Sequence, residues 1–252
     1  MSWNIDSVGD VAVVTMNSNK VNAQNEEFFL DLHEALDRLE TMRAGPVVLT
    51  GQGDTFSAGL DLKYTLPLFA TQDEEAISAW FERYRATNVR LFTFDRPVIA
   101  AVNGHAIAGG LITALACDYR IAAAGGGKFG LNEVPIGIAM PSVYTEIIRY
   151  AVGNRAAALM TLFGELFGVE AAQRLGVFDE VVEPGSLIEA AIGRARVVPM
   201  QAMSAYAGSK RALQGPALSN IDGVGRKVDL TLKSTFADEG SRAAHDAKLS
   251  AL

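Results

Sequence analysis

Apolar residues recur along this chain with two periods that take turns. Phe28, Phe29, Leu32, Leu36 and Leu39 return at helical spacing between Asn25 and Met42, with Asp31, Glu34, Asp37 and Arg38 on the other side. That pattern predicts an amphipathic helix. Short β-branched runs flank it. Val11 to Met16 predicts a strand, and Pro46 opens another, Val47-Val48-Leu49-Thr50, which Gly51 and Gly53 release into a loop. A second helix is predicted from Glu74 to Phe92, and then a buried strand over Pro97-Val98-Ile99-Ala100-Ala101-Val102 that Gly104 breaks. Gly109-Gly110 opens an apolar helix running through Cys117, and Asp118 to Ala123 reads as the next strand. From Pro199 onward strands cease, and helices are predicted over Met200 to Leu213 and Ile221 to Ala237. The chain is therefore expected to be α/β, with strand and helix units burying one core over residues 1–198 and a helical region over 199–252. No repeat is visible residue by residue, only this rhythm.

Composition narrows the classes of partner. The chain has 252 residues, of which 49% are hydrophobic and 20% charged, enough for a large buried core without a long disordered tract. A net charge of -7 and the lack of any Lys/Arg cluster argue against nucleic acid or an anionic membrane as partner. The single cysteine, Cys117, sits in the apolar stretch Ala114-Leu115-Ala116-Cys117, reads as a packed thiol and fits a reducing compartment. Met1-Ser2-Trp3-Asn4-Ile5-Asp6 has neither signal-peptide nor transit-peptide character, Lys248-Leu249-Ser250-Ala251-Leu252 lacks a peroxisomal tripeptide, and no apolar run is long enough to span a bilayer. Cytoplasm is the expected location.

Three segments carry candidate chemistry: Phe56-Ser57-Ala58-Gly59-Leu60-Asp61-Leu62, Asn103-Gly104-His105-Ala106-Ile107-Ala108-Gly109-Gly110 and Phe129-Gly130-Leu131-Asn132-Glu133. Each glycine-rich loop alone could serve a tight turn or close helix packing. Together, in this order, they resemble the enoyl-CoA hydratase/isomerase (crotonase) superfamily. The resemblance runs from Val21-Asn22-Ala23 through Ser234-Thr235-Phe236-Ala237 and reads closely with the mitochondrial-type Δ3,Δ2-enoyl-CoA isomerases, notably at Cys117-Asp118-Tyr119-Arg120-Ile121. It implies a ClpP/crotonase-like spiral of ββα units, a C-terminal region that builds homotrimers or hexamers, and a place in fatty acid β-oxidation. It implies no cofactor and no metal, since coenzyme A is part of the substrate. By residue, it implies that Ala58 and Gly109 direct N–H groups at a thioester oxygen, that Glu133 is the acid/base, and that Lys20, Val21, Ala23, Ser57, Ala58, Asp61, Leu62 and Gly109 contact the acyl-CoA. Lys20 could equally be a surface lysine, and Phe236 and Lys248 are further candidates for reaching CoA.

The residues support that chemistry on their own terms. Removing a proton beside a thioester carbonyl requires preorganised donors for the enolate oxygen, in a site that excludes water. Gly109 stands at a helix start, where an N–H lacks an intrahelical partner and carries the positive end of the dipole. Phe129, Leu131, Val134, Pro135 and Ile136 surround Glu133 with apolar groups that would raise its pKa toward the range of a general base; a solvated loop glutamate is the plainer reading. His105 is read as a wall residue rather than an acid/base, and His33 and His245 suggest no metal site. Asn132 either orients Glu133 or only shapes a turn. The segment Tyr64 to Ala79 reads as a loop shaping the acyl pocket. One departure is informative: a hydratase of this superfamily carries a second glutamate three residues after the Gly109 position, where this chain has Ile112. The expected activity is thus single-base movement of a double bond in 3-enoyl-CoA. The alternatives are hydration or hydrolysis on the same fold, and a non-catalytic acyl-CoA-binding scaffold. RNA binding would need a lysine-rich helix that is absent.

Overall fold

The computed structural model describes residues 2–42, 45–71 and 73–232, together with Ala243 and Ala247; His245, Phe236 and Lys248 lie outside the described residues. Strand β1 (Asn4–Val8) turns at Gly9, whose φ is 65°, into the antiparallel β2 (Val11–Met16). Then come β3 (Ala23–Gln24) and α1 (Glu26–Thr41), which Asn25 caps by accepting the Phe28 N–H, as the periodicity predicts. β4 (Val47–Gly51), β5 (Thr55–Ser57) and β6 (Gly59–Leu60) lead to α2 (Leu62–Ala70) and α3 (Glu74–Phe92). The stretch read as a loop from Tyr64 to Ala79 is therefore mostly helical, because the carboxylates of Asp61 and Asp73 accept the N–H groups of Lys63 and of Glu75 and Ala76 and start two helices.

The rest of the spiral is β7 (Val98–Val102), β8 (His105–Ile107), α4 (Gly109–Leu115), β9 (Tyr119–Ala123), β10 (Phe129–Gly130) and α5 (Ser142–Phe163), the last interrupted at Gly153 (φ 76°, ψ 165°). β11 (Leu166–Phe167), α6 (Val169–Arg174), β12 (Glu180–Val182) and α7 (Leu187–Ala195) follow, then α8 (Met203–Asp222) and α9 (Val224–Leu232). The strands form a six-stranded sheet, β1-β2-β4-β7-β9-β12, a four-stranded sheet, β11-β10-β8-β5, and the pair β3-β6. Three successive strand pairs divide the same way, with β4, β7 and β9 adjacent in the large sheet and β5, β8 and β10 adjacent in the small one. That threefold recurrence is the repeated unit the sequence rhythm announced.

Both faces of the large sheet are covered, which is why its strands read as unbroken apolar runs. Ala12, Val14 and Met16 join the main core with α1, while Val11, Val13, Val48 and Ile99 pack under Leu187, Ala191 and Ala195 of α7. Pro199 marks a change of secondary structure but not of core, because Ala217 and Ile221 of α8 belong to the main cluster. Lys210 of α8 is buried, with its Nζ 2.7 Å from the Asp118 carboxylate and 2.9 Å from the Phe94 carbonyl. The helix expected to stop at Leu213 continues because Gln214, Ala217 and Ile221 keep one face buried, and the next helix starts after Gly223 rather than at Ile221. Among the described residues no helix is long and apolar enough to cross a membrane.

Candidate active site

The three motifs meet because β5, β8 and β10 are parallel neighbours, and each motif leaves the C-terminal end of one of them. Crevices at such strand ends are the usual ligand sites of parallel sheets. The Ala108 N–H extends the ladder to the Gly130 carbonyl at 2.8 Å, tying the second loop to the third. Gly59, with φ at 82°, holds the first loop against the second: a Cβ there would lie 2.6 Å from the Ile107 carbonyl oxygen.

Gly109 begins α4 directly after Ala108, whose φ of 53° and ψ of -129° turn the chain sharply into the helix. Its N–H has no intrahelical acceptor. Its carbonyl is held by Gln24, whose Nε2 donates to it at 3.1 Å and to Thr113 Oγ1 at 2.9 Å, and the Tyr84 hydroxyl donates to Gln24 Oε1 at 3.1 Å. All of these groups are buried.

The other expected donor moves. The Ala58 N–H donates to the Val21 carbonyl at 3.0 Å and is not available to a ligand. Opposite Gln24 in the β3-β6 pair stands Leu60, and the Gln24 carbonyl accepts from Asp61 at 3.0 Å. In a parallel ladder the residue flanked by such bonds turns its own N–H away from the partner strand. Leu60 also lines the cleft, so its N–H rather than that of Ala58 is the second donor available there. No side-chain pattern could have revealed this, since Gly59, with its positive φ, separates the directions of the two peptide groups.

Glu133 follows β10, and its carbonyl accepts from Ile136 and Ile138 at 3.1 and 3.0 Å, which fixes the turn around it. Its side chain stands between two spaces. Outside is an open cleft of about 640 Å³; inside is a much smaller cavity lined by apolar and aromatic side chains, Ile112 among them, and Leu60, Glu133 and Ile138 line both. Burial pushes the Glu133 carboxyl up to about 7, opposed by a hydrogen bond from its own backbone N–H. Its Oε2 is buried and has no hydrogen-bond partner among the described residues. No hydrogen bond joins Asn132 to it, although Asn132 lines the same cleft.

Of the expected CoA contacts, Val21, Ala23, Ala58, Asp61 and Leu62 line the cleft. Lys20 is exposed and outside the lining, and the basic side chain there is Lys63, which the sequence reading did not single out. Ser57 is fully buried; its hydroxyl donates to the Asn22 carbonyl at 2.7 Å and accepts the Gly59 N–H at 3.2 Å, a structural role. Asn22, with φ at 48°, donates from Nδ2 to the Phe56 carbonyl at 3.1 Å and so pins the Val21–Ala23 wall to the first motif. His105 Nδ1 accepts the Lys128 N–H at 3.2 Å and takes no part in the cleft lining. The Cys117 thiol is buried, donates to the Thr113 carbonyl and is pushed up to about 12 by burial, which makes it a packed thiol. A second open groove of about 670 Å³, near Arg90, Arg96 and Met200, is remote from these groups.

Gly109, the remaining expected CoA contact, is buried and is not among the lining residues of the cleft, which reaches Ala108 beside it. A spiral α/β chain with a buried carboxyl poised near neutrality at a cleft, next to a helix start, has the parts of an enzyme that moves protons next to a carbonyl. The chain belongs to the enoyl-CoA hydratase/isomerase family, whose model matches residues 6–247, and is thus a crotonase-family acyl-CoA enzyme. It is 36% identical over 220 residues to a putative enoyl-CoA hydratase of Thermus thermophilus, covering 85% of each chain. It is 31% identical over 180 residues to the mitochondrial enoyl-CoA delta isomerase 1 of Homo sapiens, covering 70% of this chain and 58% of that one. Among solved structures, human mitochondrial delta3-delta2-enoyl-CoA isomerase superposes with a TM-score of 0.88 at 25% identity, over 99% of this chain and 97% of the other.

Proposed function

We propose that this enzyme moves the double bond of a 3-enoyl-CoA into conjugation with the thioester, using Glu133 as its one acid/base. Glu133 takes a proton from the α-carbon, the dienolate oxygen rests on the Leu60 and Gly109 N–H groups, and Glu133 returns the proton at the γ-carbon. The observation that carries this reading is the lining of the small inner cavity: among the described residues Glu133 is its one carboxylate, and Ile112, at the position where the family resemblance gives a hydratase its second glutamate, shares that lining. An aliphatic side chain leaves a nucleophilic water without a holder, so the trans-2-enoyl product formed when the dienolate is reprotonated at the γ-carbon is not hydrated at its β-carbon. Val21, Ala23, Asp61 and Leu62 form the walls for the CoA portion, with Lys63 facing its phosphates. A homotrimer or a dimer of trimers, assembled through residues 199–252, belongs to the same proposal. Leu213 and Val224, 68% and 70% exposed on α8 and α9, are apolar side chains suited to such a contact.

Hydration is the second reading, favoured by the name of the Thermus relative. Separate incubations with a cis-3-enoyl-CoA and a trans-2-enoyl-CoA, followed by product analysis, distinguish them: isomerisation converts the first into the conjugated trans-2-enoyl thioester and leaves the second without water added, whereas hydration leaves the first unchanged and turns the second into 3-hydroxyacyl-CoA.

A further inference from the structure

The cavity inside Glu133 has a volume of only about 20 Å³. A water-sized sphere needs roughly 10–15 Å³ on this measure, so one or two non-hydrogen atoms fit beyond the carboxyl. The far wall is aromatic and interlocked. Phe69 of α2 meets Trp80 of α3 edge-on at 5.6 Å and stacks on Phe81 at 5.8 Å, and Trp80 stacks on Tyr84 at 5.1 Å. Tyr84 in turn contacts Tyr144 at 5.0 Å. Trp80 and Tyr84 are each only 2% exposed, so neither ring has open space to swing into.

The wall is also tied to the donor site. Tyr84 holds Gln24 through its hydroxyl, and Gln24 holds the Gly109 carbonyl. Retreat of the aromatic layer to admit a long chain would disturb the peptide that places the Gly109 N–H. Accommodation of bulk and preservation of the donor geometry therefore oppose each other in this fold.

We propose that the site takes short acyl groups, of roughly four to six carbons counted from the thioester carbon, and that Trp80 is the residue that sets the limit. The proposal deepens the acyl-CoA reading above and rests on it. The α-, β- and γ-carbons lie alongside Glu133, and the remainder of the acyl group has the one or two atoms of space that end at the Trp80 ring.

Calorimetric titration of the full-length protein with saturated butanoyl-, hexanoyl-, decanoyl- and hexadecanoyl-CoA tests this without turnover. The expected result is tightest binding for the two short thioesters and at least tenfold weaker binding for decanoyl-CoA, with Trp80→Leu restoring most of the decanoyl affinity. Should that variant fail to fold, Phe81→Leu, which opens the same wall from a less buried position, is expected to shift the preference in the same direction. Affinity that is flat with chain length or rises steadily to hexadecanoyl-CoA would overturn the proposal, as would an order of preference unchanged in the folded wall variant. Short-chain preference without double-bond movement would leave the length limit standing and remove the isomerase reading; rapid isomerisation with long-chain binding would do the reverse.

Discussion

Ile112, in the first turn of α4, and Glu133, just past β10, line one small inner cavity. The pairing of an aliphatic side chain with a single carboxylate sets what can follow proton removal. Ile112→Glu would place a second carboxylate in the same low-dielectric space, where like charges oppose joint ionisation. The acid limb of the pH–rate profile, expected near pH 7 from Glu133 in the native enzyme, should move upward, double-bond movement should fall about tenfold or more, and 3-hydroxyacyl-CoA should appear among the products. A variant with an unmoved profile and no hydration would show that position 112 does not face the reacting atoms.

Glu133 should cost the fold stability at the pH where it works. Its carboxyl rises from 4.5 to about 7 on burial, so the folded state favours the protonated form. The penalty is absent below about pH 4.5, grows as pH rises, and levels off above about 7. Glu133→Gln should therefore stabilise the protein at pH 8, by up to about 3 kcal/mol, and be near neutral at pH 4.5. Denaturant unfolding of both proteins at the two pH values checks this.

Gln24 is expected to act through Gly109. Gln24→Leu removes the donor that holds the Gly109 carbonyl and leaves the Tyr84 hydroxyl without its acceptor. Loss of an oxyanion donor typically costs about 100- to 1,000-fold in kcat, and misplacing one should cost part of that, roughly 10- to 100-fold. KM should change little, because the CoA walls are elsewhere. A rise in KM with kcat intact would assign Gln24 to binding instead.

The Lys210–Asp118 pair fastens α8 to the core. Asp118 also accepts the Val98 N–H at 2.8 Å, so Lys210→Met would leave a largely buried carboxylate without its cation. Breaking such a pair from one side costs about 3–5 kcal/mol. Urea unfolding should show a loss of that order, larger than for removal of the exposed pair Arg211–Asp95.

What could be read from the sequence follows from what periodicity and side-chain chemistry encode. Val11–Met16 and Glu74–Phe92 have the predicted bounds, the strand because burial on both faces leaves an apolar run that ends with it, the helix because Asp73 caps its start. Glu133 is legible through the motif that ends on it, but the groups that bury it are mostly distant in sequence: Trp80, Tyr84, Ile112 and Tyr144 share its cavity, whereas Val134 and Pro135 beside it are exposed. α5 carried no clear pattern, since Gly153 breaks its phase and its apolar side chains face several directions. The donor at Leu60 was hidden for a different reason: a backbone N–H has the same identity in every residue, and its direction is set by strand pairing and by Gly59. Lys63 was missed because helix α2, which presents it to the cleft, is started by a cap at Asp61 within a stretch that resembled a loop.

The most direct test of the account is the absorbance of the conjugated enoyl thioester after mixing the enzyme with a short cis-3-enoyl-CoA, with Glu133→Gln run alongside. Rapid growth of the conjugated product by the native enzyme, lost by about 1,000-fold or more in Glu133→Gln and without 3-hydroxyacyl-CoA, is the predicted result. No conjugation, or a rate unaffected by the substitution, would contradict the assignment of Glu133 as the base that moves the double bond.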